Sequence, residues 1–473
     1  MRFVMLALDG LRPDMVSAEA TPNLQRLTGS GTRFANARSV FPSETRVATP
    51  SLVTGCRPGG HGMVANTLFD REVAPDRLLR TKLIADVMAM ARGGESPLLR
   101  PSLGERLAAE GRSFALVSAG TGGAARLLHP AAERLSLFRW NVEETEGRLA
   151  EAMAERFGPT PPHTVPNIPR LRHSAHILLE HVLPELRPDV TLVWLSEPDV
   201  SFHWGGLLAP HARDALRAAD AIVGEVTAWR DAQPDAAEIV LVVLSDHGHV
   251  TGRGKLSLAG ELQRAGFRAG TGLSAEVDVV VAPAAAPGLW FRDMALAPPV
   301  VDWLSGQSWC GPLLARDPGL LPSGTTLPLS LLGSGHARSA DLVVTFAGSE
   351  DADEWGLPGH APFDAPDVPE GGGMHGGLHR AELATVLVMQ GGPIRRAIVE
   401  APCDLTDITP TVLHLLGIGH DGTEGRPLRE AWEPSADAPP QRSEIGMPRG
   451  FVLEAMRPAG GGRLYPTGMR RAA

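Results

Sequence analysis

Seven residues scattered through the chain share one kind of chemistry: Asp9, Thr45, Asp199, His203, Asp246, His247 and His375. Carboxylates and imidazoles are ligands for hard and borderline divalent cations. Asp199 and His203 are spaced Asp-x-x-x-His, Asp246 and His247 are adjacent, and His375 lies in the glycine-rich stretch GGGMHGGLH, residues 371–379. Thr45 belongs to FPSETRVATPSLVTG, residues 41–55. That stretch reads as a loop turning into a helix, with Thr45 as its N-cap. The free N–H groups and dipole of such a turn attract anions. A hydroxyl there is placed to attack a phosphoryl group, but at neutral pH it needs a base or a metal to hold it as an alkoxide.

The candidate ligands divide into two sets. One is Asp9, Thr45, Asp246 and His247; the other is Asp199, His203 and His375. The second has three protein ligands and an open position, the pattern of a catalytic zinc site. Two divalent cations balance three carboxylates and one alkoxide, so a phosphate binds without burying surplus charge. One ion would generate the alkoxide and the other would neutralise the leaving oxygen. Each piece alone has a plain structural reading: Thr45 or Asp9 as a helix cap, Asp199 and His203 as a local ion pair, His375 as a loop residue. His249 and His379 read as outer-layer or surface residues, and His173, His176 and His181 as a solvated helix face.

These residues need elements to hold them. Phe3 to Leu8 is a continuous apolar run closed by Asp9-Gly10, the pattern of a buried parallel strand. Further strands are predicted at 113–118, 190–195, 238–244 and 384–389, with helices at 103–109, 168–186 and 211–230. Helices also follow Thr21 and Thr409, each threonine being read as a cap before a proline. Strand–helix alternation predicts an α/β fold, a doubly wound and mainly parallel sheet with helices on both faces. Ligands of such sheets bind at the carboxyl ends of the strands, where Asp9, Asp199 and Asp246 fall. Residues 250–370 are richer in Gly and Pro and read as an inserted α+β cap subdomain. Residues 1–249 and 371–432 then form the metal-binding domain, and 433–473 a Pro/Gly-rich tail of mobile or surface-wrapping character.

Composition narrows the class. The 473 residues carry a net charge of −10, with a pI near 5.9, against the basic footprint of a nucleic-acid binder. Cys56, Cys310 and Cys403 are odd in number and widely spaced. They suggest neither a disulfide framework nor a thiolate metal knuckle, and fit a reducing cytosol. The apolar run at the N-terminus is about six residues, shorter than the ~7–15 of a signal-peptide core. No stretch reaches the ~18 apolar residues of a membrane span. The expected partner is a small phosphorylated substrate, with no nucleic acid and no membrane; homo-oligomerisation stays open.

The motifs LDG (8–10), FPSET…LVTG (41–55), HGMVAN (61–66), EPDVSFH (197–203), SDHG (245–248) and MHGG (374–377) resemble the alkaline phosphatase superfamily, and within it the nucleotide pyrophosphatase/phosphodiesterase branch. The resemblance runs from Asp9 to about Pro427. It implies a centre of two Zn2+ ions, with Mn2+ as the alternative, held by the seven residues named above. It implies Thr45 as the nucleophile of a phosphothreonine intermediate, and Asn66 as a donor to a phosphoryl oxygen. The chain departs from the pattern where nucleotide-cleaving members carry an aromatic residue after the nucleophile: here it is Arg46, and the usual Asn-His is Ala48-Thr49. The one tyrosine is Tyr465, in the tail. Arg46 could fork onto a second anionic group of the substrate. Three readings stand: a two-zinc phosphodiesterase, a phosphomonoesterase or phosphonate hydrolase with the same centre, and a metal-stabilised binding protein without turnover. A sulfatase is disfavoured, since its nucleophile position would be Cys or Ser.

Overall fold

The computed structural model describes residues 1–91, 94, 96–145, 147–434 and 438–472. Its largest sheet has eight strands, here numbered along the chain: β1 (Arg2–Leu8), β2 (Thr32–Phe34), β3 (Phe114–Ser118), β4 (Phe138–Asn141), β5 (Val190–Leu195), β6 (Ile239–Leu244), β7 (Leu387–Gln390) and β8 (Ala397–Val399). The order across the sheet is β8-β2-β7-β6-β1-β5-β3-β4. All pairs are parallel except those of β7, which runs antiparallel to β6 and β2. Six helices matter below: α1 (Thr45–Thr54), α2 (Pro58–His61), α3 (Ile168–Ile177), α4 (Asp199–Gly205), α5 (Pro210–Asp231) and α6 (Ile408–Leu415).

The apolar run of β1 explains why helices cover both faces. Side chains alternate across a strand. Phe3, Met5 and Ala7 enter a core with Val47, Leu52 and Val53 of α1. Val4, Leu6 and Leu8 enter a second core with Leu171 of α3 and Leu216, Ala219 and Val223 of α5. A strand buried on both faces must be apolar throughout, so the first polar residue, Asp9, marks where it leaves the sheet.

Several boundaries differ from the sequence reading. The N-cap of α1 is Glu44, in extended conformation, whose carbonyl accepts from Val47 and Ala48. Thr45 is the first helical residue, and its hydroxyl is thereby free to face inward. Likewise Asp407, not Thr409, precedes α6; the Thr409 hydroxyl donates instead to the carbonyl of Leu52 in α1, at 2.7 Å. The long helix predicted at 168–186 is regular only to Ile177 and continues in wider π-type turns over Leu178–Leu186, which contain Pro184. Proline there cannot supply the backbone donor of a regular turn. On this element His176 is exposed, whereas His173 and His181 are half-buried against Trp140 and Phe138.

A separate small sheet domain lies between β6 and β7. Its six strands, Ala269–Gly270, Val279–Ala282, Gly288–Phe291, Leu342–Phe346, Cys310–Ala315 and Thr326–Pro328, follow each other in that spatial order. They bury their own core with Val300, Val301 and Leu304. The described residues from 438 onward wrap the surface of the main domain. Gln441–Met447, Phe451–Arg457 and Tyr465–Arg471 form an antiparallel meander that buries Phe451, Leu453 and Met469 in the main core. Arg463 bridges Asp404 and Asp407 at 2.7 and 2.9 Å, and the Tyr465 hydroxyl donates to Asp407. No helix among the described residues is long and apolar enough to cross a membrane.

The helix carrying Thr45 is braced by a buried histidine. His61, at the end of α2, has its Nδ1 accepting from the Met63 N–H at 3.1 Å and its Nε2 at 2.8 Å from the Ser51 hydroxyl of α1. Both ring nitrogens are satisfied only in the neutral form, and burial pulls the pKa from 6.5 to about 3. Stability from a depressed histidine is present above the unfolded pKa and is lost as pH falls toward the folded one. His61 therefore withdraws about 2 kcal/mol between pH 7 and pH 5. Chemical denaturation at both pH values should show His61→Gln losing less stability over that interval than wild type, by about that amount; equal losses would contradict the assignment.

Candidate active site

The three central strands β6, β1 and β5 are neighbours, and each ends in a carboxylate. Asp9 follows β1 directly, Asp246 follows β6 after one serine, and Asp199 opens α4 after β5. Backbone bonds lock these ends together: Asp9 N–H donates to Leu195 and Asp199 N–H to Asp9. Gly10 N–H donates to Asp246 Oδ1 at 3.1 Å, and Trp194 Nε1 to Asp9 Oδ2 at 2.9 Å.

The predicted residues converge on this edge. His247 Nε2 lies 3.2 Å from Thr45 Oγ1, 3.2 Å from Asp246 Oδ2 and 3.5 Å from Asp9 Oδ1. Beside it, Asp199 Oδ1 lies 3.3 Å from His203 Nε2 and 3.5 Å from His375 Nε2. The two groups abut, with the His247 and His375 rings stacked at 3.6 Å. His203 and His375 are oriented by backbone carbonyls: Nδ1 of His203 meets Gly373 O at 2.7 Å, and Nδ1 of His375 meets Ser43 O at 2.8 Å. That fixes the proton on Nδ1 and turns the Nε2 lone pair into the site, as metal-binding histidines require.

Sequence reasoning missed His249, Ser43, Glu44 and Trp194 at this edge, and misplaced His379. His249, read as an outer or surface residue, is fully buried with Nε2 3.0 Å from Asp199 Oδ1; the only signal was its position two residues after His247. His379, paired with it in that reading, is also buried and caps a short helix by accepting from Ala381 N–H. Ser43 ties the nucleophile loop to the glycine-rich loop, donating to Gly377 O at 3.0 Å and accepting from Gly376 N–H at 3.1 Å. Glu44 accepts from the Asn66 N–H, and burial raises its carboxyl to about 7. Trp194 steers Asp9. Asn66 itself accepts, through Oδ1, from the Arg46 N–H at 3.0 Å, so its NH2 group is left to donate elsewhere. The Arg46 side chain is anchored by Nε to Thr81 Oγ1 at 3.2 Å.

The donor set fits divalent cations. Asp9 Oδ1, Asp199 Oδ1, Asp246 Oδ2 and His249 Nε2 are buried polar atoms with no hydrogen-bond partner. A protein rarely leaves such atoms unsatisfied; a cation in each of the two groups would satisfy them. Ligand atoms of Asp199, His203, His249 and His375 lie within 4.8 Å of one another, as do those of Asp9, Asp199 and His247. The electrostatics agree. Burial, then Asp246 and Asp199, push the Asp9 carboxyl well above its usual range. Burial raises Asp246 to about 7 and lowers His247 to about 3. For Asp199 burial acts upward, but His203, His249 and His375 overcome it and hold the carboxyl well below its usual range.

Residues 3–266 match the family model of type I phosphodiesterase / nucleotide pyrophosphatase, and the chain belongs to that family. A stretch of 71 residues is 34% identical to bis(5'-adenosyl)-triphosphatase from Xenopus laevis, covering 15% of this chain and 16% of that one. Another of 69 residues is 30% identical to venom phosphodiesterase from Macrovipera lebetinus, covering 14% of this chain and 8% of that protein. The chain thus matches only a small part of these relatives' lengths. Murine ectonucleotide pyrophosphatase / phosphodiesterase 5 superposes with a TM-score of 0.63 at 16% identity, over 89% of this chain and 96% of that one. An inactive threonine-to-alanine variant of that murine protein, in complex with AMP, gives 0.62. At this identity the likeness is one of fold.

Asp9 and Asp246, buried as carboxylates without a cation, oppose folding, and with one they would hold it. A raised carboxyl pKa gives stability that is present below pH 3.8 and lost as pH rises through about 7. At pH 8 in chelator, Asp246→Asn should therefore be more stable than wild type in chemical denaturation, by on the order of 2–4 kcal/mol. With excess Zn2+ the order should reverse, because a ligand is gone. The same order in both conditions would contradict the site.

Proposed function

We propose that this chain is a two-zinc hydrolase of small phosphodiesters that works through a phosphothreonine intermediate on Thr45. The observation that carries the reading is the Thr45 hydroxyl at a helix N-terminus, 3.2 Å from His247 Nε2, amid carboxylate oxygens that lack partners. The family match supports the reaction class. Asp9, Thr45, Asp246 and His247 would hold one ion, and Asp199, His203 and His375 the other; Mn2+ accepts the same donors. Bound there, the ions would supply Lewis-acid stabilisation of the Thr45 alkoxide and of the departing oxygen.

The remaining work falls to the chain. Thr45 Oγ forms a bond to phosphorus as the ester oxygen leaves in line with it. Water then attacks from the vacated side, the P–Oγ bond breaks, and Thr45 recovers its hydroxyl. Asn66 donates its NH2 to a phosphoryl oxygen throughout. Positioning and electrostatics dominate such transfers.

The adjoining cavity, about 100 Å³, is lined by Thr45 and Arg46 with Thr121, His163, Asn167 and Arg170. That is below the ~300–1,000 Å³ of sites for drug-sized ligands, which favours a small leaving group over the nucleosides in the relatives' names. Arg46 favours a second reading. Its guanidinium has no ion-pair partner among the described residues and borders the same cavity, as a reader of an extra charge would. This is the phosphomonoesterase or phosphonate-hydrolase form. A cytosolic setting belongs to either reading, supported by three free, buried thiols. A binding protein without turnover is disfavoured, since it would have shed a ligand or the nucleophile.

Turnover of bis-p-nitrophenyl phosphate and of the monoester, with and without chelator, tests the proposal. The diester should be preferred, chelation should abolish both reactions, and Thr45→Ala should lower kcat at least ~1,000-fold. A strong monoester preference, cut a further ~10–100-fold by Arg46→Ala, would replace the leading reading with the second. Full activity in chelator or in Thr45→Ala would sink both.

A further inference from the structure

His249 has no part in the two ligand sets above, yet it sits inside the second. The sheet puts it there: Val250 pairs antiparallel with Met374, so His249 and His375, one step further along each strand, come face to face with ring centroids 5.0 Å apart. The ring is boxed in. A Cβ on Gly10 would lie 2.3 Å from its Cε1, and one on Gly373 would lie 3.0 Å from its Cδ2. The Phe202 ring meets it edge-on at 5.2 Å, and Arg12 Nη1 donates to its carbonyl at 3.0 Å. The space for this imidazole exists only because residue 10 has no side chain.

Its hydrogen bonding decides what the ring can do. Nδ1 lies 3.0 Å from Gly10 O. A carbonyl only accepts, so Nδ1 carries the proton, and in the neutral ring Nε2 presents a lone pair. That lone pair faces Asp199 Oδ1 at 3.0 Å, and neither atom has a hydrogen-bond partner. Two acceptors so close repel each other unless a proton or a metal cation lies between them, and Asp199 Oδ1 faces the Nε2 atoms of His203 and His375 as well.

We propose that His249 is a fourth protein ligand of the ion held by Asp199, His203 and His375, giving a site of three imidazoles and one carboxylate. This rests on the reading that the edge binds divalent cations. Ligand atoms ~2.0–2.1 Å from a tetrahedral zinc stand about 3.3 Å apart. The Nε2 atoms of His203, His249 and His375 lie 3.3, 3.0 and 3.5 Å from Asp199 Oδ1. All three histidines show the same arrangement, Nδ1 on a backbone carbonyl and Nε2 inward. A fourth protein ligand would fill the position that the three-ligand set leaves open, so this ion would meet the departing oxygen only by expanding to five ligands. The recognition of substrate oxygens then falls chiefly on the Thr45 side, on Asn66 and on Arg46.

The test uses the intact chain. Wild type, His249→Ala and His249→Gln are loaded with Zn2+, counted by elemental analysis and titrated against a chromophoric chelator. Wild type should hold two ions. Both variants should bind one of them at least ~100-fold more weakly, beyond the ~10–100-fold typical of an outer-shell partner, and Co2+ substitution should show an altered visible spectrum. Affinity within threefold of wild type and an unchanged Co2+ spectrum would overturn the assignment. A measurement on wild type alone guards against misfolded variants: with NMR-active cadmium and labelled histidine nitrogens, the Nε2 resonance of His249 should be split by coupling to the metal, together with those of His203, His247 and His375. An unsplit His249 resonance would overturn the proposal. Wild type that holds fewer than two ions would overturn the functional reading and this one together, whereas two ions with an uncoupled His249 would overturn this one alone.

Discussion

Like charges at the edge of an apolar sheet set the terms for this molecule. Asp9 and Asp246 leave neighbouring strands in register, Asp199 opens the helix that follows a third, and each strand ends on a buried apolar residue. No arginine or lysine makes an ion pair with them among the described residues. The neighbours that do touch them are imidazoles and backbone or indole N–H groups. Such an arrangement is unfavourable as a set of bare charges and favourable around cations. The loops and glycines nearby follow from it, since they bring neutral donors close, while Arg46 acts on the carboxylates only across the cavity.

The nucleophile is governed by the same constraint from the other side. Its helix is fastened at three places: His61 holds Ser51, Thr409 holds the Leu52 carbonyl, and Ser43 ties the loop before it to the loop of His375. None of these contacts touches a reacting group. Together they fix where the Thr45 hydroxyl stands relative to His247 and the carboxylates. Side chains held by packing and a second layer of hydrogen bonds are what precise positioning requires.

Much of this was legible in the amino-acid order, for a physical reason. A strand buried on both faces is a continuous apolar run, so Phe3–Leu8 and the runs before Ser196 and Ser245 announced themselves, and with them the carboxylates at their ends. Cap positions were less legible. Thr45 and Thr409 have the right chemistry for caps, but tertiary partners took their hydroxyls and left the capping role to Glu44 and Asp407. His249 was hidden because its neighbour across the sheet is 126 positions away, and only strand register reveals it. The tail misled through composition: prolines and glycines at its turns masked alternating apolar residues, and the contact of Arg463 and Tyr465 with two buried aspartates cannot be read locally.

The long connection that carries the small sheet domain leaves the main sheet just after His249 and returns just before His375, and a short antiparallel pairing clasps its two ends. The insertion is therefore hinged on the cluster itself. Because Val250 and Met374 share a backbone ladder, a tilt of the domain would shear the two imidazoles past each other, so the seating of this appendage and the spacing of the site cannot be tuned independently. Any lineage that enlarges, trims or replaces the insertion has to preserve that clasp, whatever else it alters.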